Sequence, residues 1–189
     1  MTKSKKEDLM IEANKTFIIE EIKKVTNKGL QSFLMETLQD FPDYFWTAPA
    51  SLEKYHYPDE RKKGGLVLHV RRLCKLTESI VNLEELNLWE RDVLLASSIL
   101  HDSFARGIPP TIKGYSDPFH PLYPGERFPF NGYADRFIDK KIYDEIMDCV
   151  VSHSGRYSVH PILYSKKKLA KIFQTMDHLA SRDYIKIDI

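Results

Sequence analysis

The chain has 189 residues, 42% of them hydrophobic, and a formal net charge of +1 at pH 7. This length predicts one compact domain, and no apolar stretch approaches the ~20 residues that a membrane-spanning helix needs. The balanced charge excludes the overall basic excess typical of nucleic-acid-binding proteins, so local basic clusters would have to provide any such binding. Residues 1–6 are followed by Glu7-Asp8 rather than by a long apolar core, so we expect no signal peptide and a cytoplasmic location.

The first sixty residues predict helices that pack on the rest of the chain. Apolar residues of Leu9–Val25 recur at helical spacing, and Asn27-Lys28-Gly29 is typical of a helix C-terminal stop. A second helical stripe covers Leu30–Leu38. A proline break and an aromatic loop that contains Tyr44-Phe45-Trp46 are predicted to follow it. We therefore expect residues 1–60 to form a helical extension packed on the core.

Four further helices are predicted in the main unit, residues 61–189. Their apolar residues run from Leu66 to Ile80, Leu88 to Leu100, Ile138 to Val151 and Leu169 to Ala180. No segment alternates apolar and polar residues as a half-buried strand does. The sequence therefore predicts an all-α fold, a compact bundle of five to seven helices. Cys74 and Cys149 lie inside two of these helical patterns, so we expect buried, reduced thiols rather than a disulfide.

The segment between residues 103 and 137 interrupts the helical pattern. It contains six prolines and four glycines, a density that a continuous helix does not tolerate. A structureless loop of this length inside a compact domain is usually functional or disordered. Its aromatic residues either form one wall of a substrate pocket or pack the loop onto the helices, and their spacing does not distinguish the two: Tyr115, Phe119, Tyr123, Phe128, Phe130 and Tyr133.

Histidine and aspartate residues lie at the ends or on the inner faces of the predicted helices. His101-Asp102 directly follows the apolar run Val93–Leu100. Four more such residues are distributed along the chain: His69, His120, His153 and Asp177. Imidazole and carboxylate are ligands that borderline and hard divalent cations accept. The set of six predicts a buried site for one or two divalent ions, with Mn, Fe, Co, Ni, Zn and Mg as candidates.

The order and surroundings of these residues resemble the HD-domain superfamily of metal-dependent phosphohydrolases. Gly64-Gly65-Leu66-Val67-Leu68-His69 is similar to the family's GGL-x-x-H motif, and Ile99-Leu100-His101-Asp102 to its L-L-H-D core. Val151-Ser152-His153-Ser154-Gly155 is similar to its S-H-x-G stretch, and Thr175-Met176-Asp177-His178-Leu179 to its closing aspartate helix. The resemblance spans residues 64 to 183 and is strongest to the HD domains of 3′-to-5′ exoribonucleases and of small phage or bacterial HD proteins. It implies an all-helical phosphohydrolase.

The resemblance also implies how the ligands divide between two ions. In dinuclear HD proteins, one ion is held by the residues that match His69, His101, Asp102 and Asp177, and the second by those that match His120 and His153. The carboxylate that matches Asp102 bridges both ions, which one imidazole nitrogen cannot do. Asp102 is therefore expected to be the least replaceable residue of the chain.

Two adjacent cations lower the pKa of a bound water toward about 7, which would provide hydroxide for attack on phosphorus, with His101 and Asp102 at the reacting centre. Nearby cationic side chains stabilise charge that develops on phosphoryl oxygens. We select Arg72, Arg106 and Arg156 for this role, with an exposed solubilising charge as the alternative for each. Many HD proteins have a lysine three residues beyond the HD aspartate. This chain has Arg106 one position later, and arginine and lysine are not interchangeable at a phosphate.

The favoured function is hydrolysis of a phosphomonoester or phosphodiester in a nucleotide, cyclic nucleotide or short oligonucleotide. Residues 1–60 are too short and too helical for the oligonucleotide-binding domain that the exoribonucleases carry. Two alternatives remain, an HD-type di-iron oxygenase and a noncatalytic binding module braced by metal. We interpret His56 as a loop residue that is either structural or faces substrate, and His160 and His178 as structural or surface residues. The oligomeric state is left open.

Overall fold

The computed structural model of the protein describes residues 3–51, 56–111, 116–157 and 164–185. Within these ranges the fold is an all-α bundle without strands, as predicted. Of its eight α-helices, two have only five residues, which leaves six longer ones. The helices are α1 (Lys3–Lys23), α2 (Lys28–Thr37), α3 (Asp43–Thr47), α4 (Gly65–Leu83), α5 (Leu88–Leu100), α6 (Tyr123–Arg127), α7 (Lys140–Ser152) and α8 (Lys168–Ala180), with 3-10 turns at Leu38–Asp40, His120–Leu122, Ala134–Arg136 and Gly155–Tyr157.

The connection between α1 and α2 corrects one predicted boundary. Asn27, predicted to belong to the stop of the first helix, is the N-cap of the second, and α1 already ends at Lys23. The side-chain oxygen of Asn27 accepts a hydrogen bond from the backbone N–H of Leu30 at 2.9 Å. Asparagine serves at both ends of helices. The pattern therefore had two interpretations, and the bond to Leu30 identifies the correct one.

The aromatic residues Tyr44-Phe45-Trp46, predicted to lie in a loop, instead form most of α3. Pro42 precedes this helix in an extended conformation, with φ −67° and ψ 150°. Proline interrupts the preceding helix but is tolerated where a new one starts. Phe45 is fully buried and packs edge-to-face on Phe41, with ring centroids 4.8 Å apart. The turn is therefore stabilised by its core contacts.

Helix α5 occupies the interior of the bundle because its apolar residues surround the helix instead of forming a stripe. Every residue from Asp92 to Leu100 is buried. Helix α5 packs against α4, α7 and α8, and α8 also contacts α4 and α7. Helix α1 packs against α3, α4 and α5, and one hydrophobic core includes both its Ile18 and residues of the later helices. Residues that follow Leu100 are therefore delivered to the centre of the molecule.

The described residues of the Pro/Gly-rich segment form α6 and two 3-10 turns joined by irregular chain. Phe128 is fully buried and lies edge-to-face on Phe33, at 6.4 Å between centroids. Tyr133 packs on the same ring at 6.2 Å, and Phe130 packs on a tyrosine of α7. These three rings attach the segment to the helices, which was one of the two predicted alternatives. Tyr115 lies outside the described residues.

Cys74 and Cys149 are buried and form no disulfide, which confirms the predicted thiols. Burial raises the pKa of the Cys149 thiol to about 12. That thiol therefore remains protonated at neutral pH. Among the described residues, no helix combines the length and apolar character that crossing a membrane requires.

Asp92 ties the α1–α2 connection to the central helix. Its Oδ2 atom accepts hydrogen bonds from the backbone N of Thr26, the hydroxyl of Thr26 and the backbone N of Asn27, at 2.8, 2.6 and 2.8 Å. We predict that Asp92→Ala lowers the free energy of unfolding by about 2–4 kcal/mol, because two backbone N–H groups lose their acceptor. Urea unfolding followed by circular dichroism measures this change. Asp144→Ala, in an exposed pair with Lys140, is the control and should cost less than about 0.5 kcal/mol. Equal stability losses in both variants would contradict the assignment.

Candidate metal centre

The predicted His-Asp dyad lies where α5 ends. His101 occupies the C-cap position of α5, and Asp102 follows it. His101 is fully buried. Its Nε2 atom lies 3.5 Å from Oδ2 of Asp102. Consecutive side chains diverge along a helix, so the convergence of this pair depends on its position at the terminus.

Three histidine rings are oriented by the same type of hydrogen bond. In each ring, Nδ1 donates to the backbone carbonyl three residues earlier: His101 to Ser98 at 3.0 Å, His120 to Asp117 at 2.6 Å and His153 to Val150 at 2.7 Å. A carbonyl oxygen can only accept, so in the neutral ring Nδ1 carries the proton and Nε2 has the lone pair. Metal-binding histidines typically have their tautomer fixed by such a second bond.

The first donor group consists of His69 on α4, His101 after α5 and Asp177 on α8. Oδ1 of Asp177 lies 3.0 Å from Nε2 of His69 and 3.8 Å from Nε2 of His101. The Nε2 atom of His101 is buried without a hydrogen-bond partner. A buried polar atom in this state is costly. A cation at the group would use its lone pair, so these residues fit a divalent ion.

The second donor group consists of Asp102, His120 and His153. Nε2 of His120 lies 3.0 Å from Nε2 of His153 and 3.0 Å from Oδ1 of Asp102. Because both Nδ1 atoms face carbonyls, two neutral rings would direct their lone pairs at each other, and a proton or cation between them removes this repulsion. Two nitrogen ligands at about 2.1 Å from one ion are roughly 3.0 Å apart in octahedral and about 3.4 Å apart in tetrahedral geometry. The observed separation therefore fits a shared cation.

Asp102 connects the two donor groups. Its Oδ2 atom lies 3.5 Å from His101 of the first group, and its Oδ1 atom lies 3.0 Å from His120 of the second. The two oxygens of one carboxylate therefore face different groups, as a bridging ligand requires. The structure thus brings together all six residues selected as metal ligands from the sequence: His69, His101, Asp102, His120, His153 and Asp177.

Opposite charges compensate each other in the first donor group. Burial lowers the pKa of His69, but the hydrogen bond to Asp177 and the negative charges of Glu60, Asp177 and Asp102 outweigh burial and raise this pKa to about 9. Burial raises the pKa of Asp177, whereas His69 and His101 lower it, to about 2 overall. At neutral pH the metal-free group is therefore held by an imidazolium–carboxylate pair.

The second donor group is asymmetric in its protonation. Burial and the neighbouring His120 lower the pKa of His153 to about 4. Burial also lowers the pKa of His120, but the hydrogen bond and charge of Asp102 raise it above its usual value overall. Burial raises the pKa of Asp102, but the surrounding histidines hold it well below its usual range. A proton shared by the two rings is therefore favoured on His120 over His153.

Glu60 is a residue of the centre that the sequence analysis did not identify. Its carboxylate is fully buried, with Oε2 at 2.8 Å from Nδ1 of His56 and 3.8 Å from Nδ1 of His69. A side chain at Gly65 would prevent this approach, because its Cβ would lie 1.8 Å from the Glu60 carbonyl oxygen. His56, Glu60 and His69 form a third set of potential ligand atoms. Glu60 belongs to the charged run Asp59–Lys63, which is typical of an exposed segment.

The three arginines selected from the sequence occupy different environments. Arg72 is buried and donates to Oε1 of Glu60 at 2.5 Å and to Oδ2 of Asp59 at 2.8 Å. Arg72 does not line the cavity that opens onto the donor groups, and a buried arginine paired with two carboxylates is typical of a structural cation. Arg106 is likewise not part of the cavity wall, whereas Arg156 is.

A cavity of about 540 Å³ opens onto both donor groups. Five of the six predicted ligands line it, and the sixth, His101, lies beneath its surface. His56 also lines the cavity, in agreement with the substrate-facing alternative for this residue. Of the described aromatic residues in the Pro/Gly-rich segment, none contributes to the wall. His160 lies outside the described residues.

The wall also includes residues that the sequence analysis had placed at the surface or had not considered. His178 and Arg182 line the cavity together with Arg156. Nη2 of Arg182 lies 3.1 Å from Nδ1 of His178. Burial, Arg182 and Arg156 lower the pKa of His178, although Asp177 opposes them. Arg156 and Arg182 therefore both lie near His178, the residue that follows Asp177 on α8.

Comparisons with protein family models, with curated proteins and with solved structures find no match to this chain. The resemblance to HD-domain proteins therefore remains a prediction. The functional inference depends on the geometry of the two donor groups and of their cavity.

We predict that Glu60 and Arg72 stabilise the fold as a pair. Glu60→Ala leaves the buried guanidinium with Asp59, whose side chain is 47% exposed, and should lower the free energy of unfolding by about 3–5 kcal/mol. Arg72→Ala should have a similar effect, and the double variant should lose at least about 1 kcal/mol less than the sum of the two. Denaturant unfolding of the four proteins measures this coupling.

The control for this comparison of single and double variants is Lys75→Ala. Lys75 is exposed and lies on α4, as Arg72 does, so its replacement should change the free energy of unfolding by less than about 0.5 kcal/mol. An Arg72→Ala protein with wild-type stability would remove the structural role and favour the predicted catalytic one.

Proposed function

We propose that this protein is a metal-dependent phosphohydrolase whose centre binds two divalent cations. One observation supports this most directly: Nε2 of His120 and Nε2 of His153 approach to 3.0 Å beside Oδ1 of Asp102, while both Nδ1 atoms are engaged by carbonyls. Donor atoms that converge in this way are stabilised by a cation among them.

We propose one ligand set for each ion on the basis of the two donor groups. His69, His101 and Asp177 would hold the first ion, His120 and His153 the second, and Asp102 would contact both. These nitrogen and oxygen ligands suit Mn, Fe, Co, Ni, Zn and, less well, Mg. When bound, such ions supply Lewis acidity, which polarises phosphoryl oxygens and makes a bound water acidic near neutral pH.

The cavity supports a phosphate ester of nucleotide size as the substrate. Its volume of about 540 Å³ is within the range of small-molecule sites. Arg156 and Arg182 on its wall add positive charge, which favours an anionic substrate. We therefore propose hydrolysis of a phosphomonoester or phosphodiester in a nucleotide, cyclic nucleotide or short oligonucleotide end, with His101 and Asp102 at the reacting centre.

We predict that the metal-stripped chain binds two Mn²⁺ ions and that binding raises its melting temperature. A ligand at 100 times its Kd stabilises a native protein by about 2.7 kcal/mol per site. His153→Ala should leave one ion per chain, because it removes a ligand from the second donor group alone. Equilibrium dialysis with elemental analysis measures the stoichiometry, and thermal unfolding measures the stabilisation.

The matched control for metal binding is His178→Ala. It removes an imidazole from the same cavity wall that belongs to neither donor group, so both ions should remain. A wild-type chain that retains no ion after dialysis against Mn²⁺, Fe²⁺ or Zn²⁺ would contradict the proposal. Bound iron whose absorption changes on exposure to oxygen would favour the di-iron alternative.

We predict that the Mn²⁺-loaded protein releases phosphate or a nucleoside monophosphate from a panel of mononucleotides, cyclic nucleotides and dinucleotides. Asp102→Asn preserves the shape of the side chain but removes the charge that spans both donor groups, so the rate should fall about 10³-fold or more. Chromatography of the products with a phosphate assay measures both rates.

Asp135→Asn, at an exposed carboxylate of the Pro/Gly-rich segment, is the control for activity. It should retain the wild-type rate within about twofold, because surface substitutions away from the site have small effects. Wild-type activity in Asp102→Asn, or no product from any substrate with the fully loaded protein, would refute the proposed function.

A further inference from the structure

We infer that the cavity binds phosphate compounds with a second phosphoryl group, which Arg156 and Arg182 hold beside the donor groups. The inference rests on the proposed function, in which the first phosphoryl group lies at the ions. Arg156 and Arg182 would then select the substrate, while the donor groups would take part in the reaction itself.

The charge of the cavity wall matches such a substrate. Among the described residues of the wall, Asp102 and Asp177 are the carboxylates and Arg156 and Arg182 the guanidinium groups, so these charges balance. Two divalent ions would add four positive charges. A terminal phosphate brings about two negative charges near pH 7. A second phosphoryl group would compensate most of the remainder.

Arg182 lines the cavity together with the donor groups and is a member of neither group. It follows Asp177 by five positions, just beyond the end of α8 at Ala180. The guanidinium lies against the imidazole of His178, with Nε at 3.3 Å from its Nε2 and Nη2 at 3.1 Å from its Nδ1, and one of these two ring nitrogens can accept a hydrogen bond from it. Arg182 therefore borders the same cavity as the donor groups and can contact a second group of a molecule that fills it.

Arg156 lines the same cavity, and its 3-10 turn, Gly155–Tyr157, lies close to α8. Gly155 has φ +51°, and a Cβ there would lie 3.2 Å from the side-chain oxygen of Gln174 on α8. The amide of Gln174 donates to the hydroxyl of the last residue of α7 at 3.1 Å. These contacts hold the turn against the helix that ends just before Arg182.

The side-chain type also favours a phosphoryl group. A guanidinium donates two parallel hydrogen bonds to a pair of phosphate oxygens, whereas the ammonium group of lysine acts as a point charge. Two arginines on one wall can therefore orient a second phosphoryl group as well as neutralise it.

The test is calorimetric titration of the Mn²⁺-loaded chain with orthophosphate, pyrophosphate and adenosine 3′,5′-bisphosphate, with equal free Mn²⁺ in both solutions. We expect at least one probe with two phosphoryl groups to bind about tenfold or more tightly than orthophosphate. Arg156→Ala and Arg182→Ala should each weaken that binding about tenfold and leave orthophosphate binding within about twofold. Preference for pyrophosphate identifies an anhydride-linked second group, and preference for the bisphosphate an ester-linked one.

Arg127→Ala, which removes a guanidinium that is 53% exposed and outside the cavity, is the matched control and should leave all three affinities unchanged. Arg182→Lys retains the charge and should recover part of the affinity, and thermal unfolding identifies any variant that does not fold. Equal losses for all three probes, or unchanged affinities in the arginine variants, overturn the second phosphoryl site and leave the proposed function standing. A Mn²⁺-loaded wild type that binds no probe overturns both.

Discussion

The centre depends on hydrogen bonds from histidine Nδ1 atoms to backbone carbonyls at helix ends. The last turn of a helix leaves carbonyl groups without N–H partners. The carbonyls of Ser98 in α5 and Val150 in α7 lie in such turns, and they accept from His101 and His153. One interaction thus satisfies a helix terminus and fixes which ring nitrogen faces the cavity. The ends of two core helices therefore prepare the donor atoms, and the packing of those helices sets the distance between them.

Two kinds of positive charge compensate the buried carboxylates, and they differ in permanence. Arg72 is buried against Glu60 and is charged at any accessible pH. Asp177 and Asp102 are compensated instead by His69 and His120, since these carboxylates raise the pKa of each imidazole and so favour a proton on it. A divalent ion can replace these protons because it binds the same nitrogen atoms. The Arg72–Glu60 pair therefore stabilises the structure around the site, while the imidazoles of His69 and His120 lie where cations would bind.

The sequence correctly predicted the helices whose spacing of apolar residues matches their packing. It also predicted the six residues of the two donor groups. Helix α5 was predicted with its observed bounds because an apolar run of that length has only one stable placement, the core. Asn27 and the aromatic residues of α3 were misplaced because their local signals suit either end of a helix or a loop, and tertiary contacts decide between these states. Glu60 could not be found, since its burial requires a glycine five residues later and a buried arginine on the next helix. The sequence alone does not show that Gly65 and Arg72 both act on Glu60.

Candidate metal ligands are easier to predict from sequence than candidate substrate contacts. A metal ligand must be histidine, aspartate or a similar donor, so its chemistry restricts the residue type. A side chain on the cavity wall needs only reach and charge, and many arginines in the chain offer both. Arg72 and Arg106 have suitable sequence neighbours but do not line the cavity, whereas Arg182 lines it because α8 ends one turn beyond Asp177. Because Arg156 and Arg182 lie beyond the ends of α7 and α8, the charge of the cavity wall can change without a change in the donor residues.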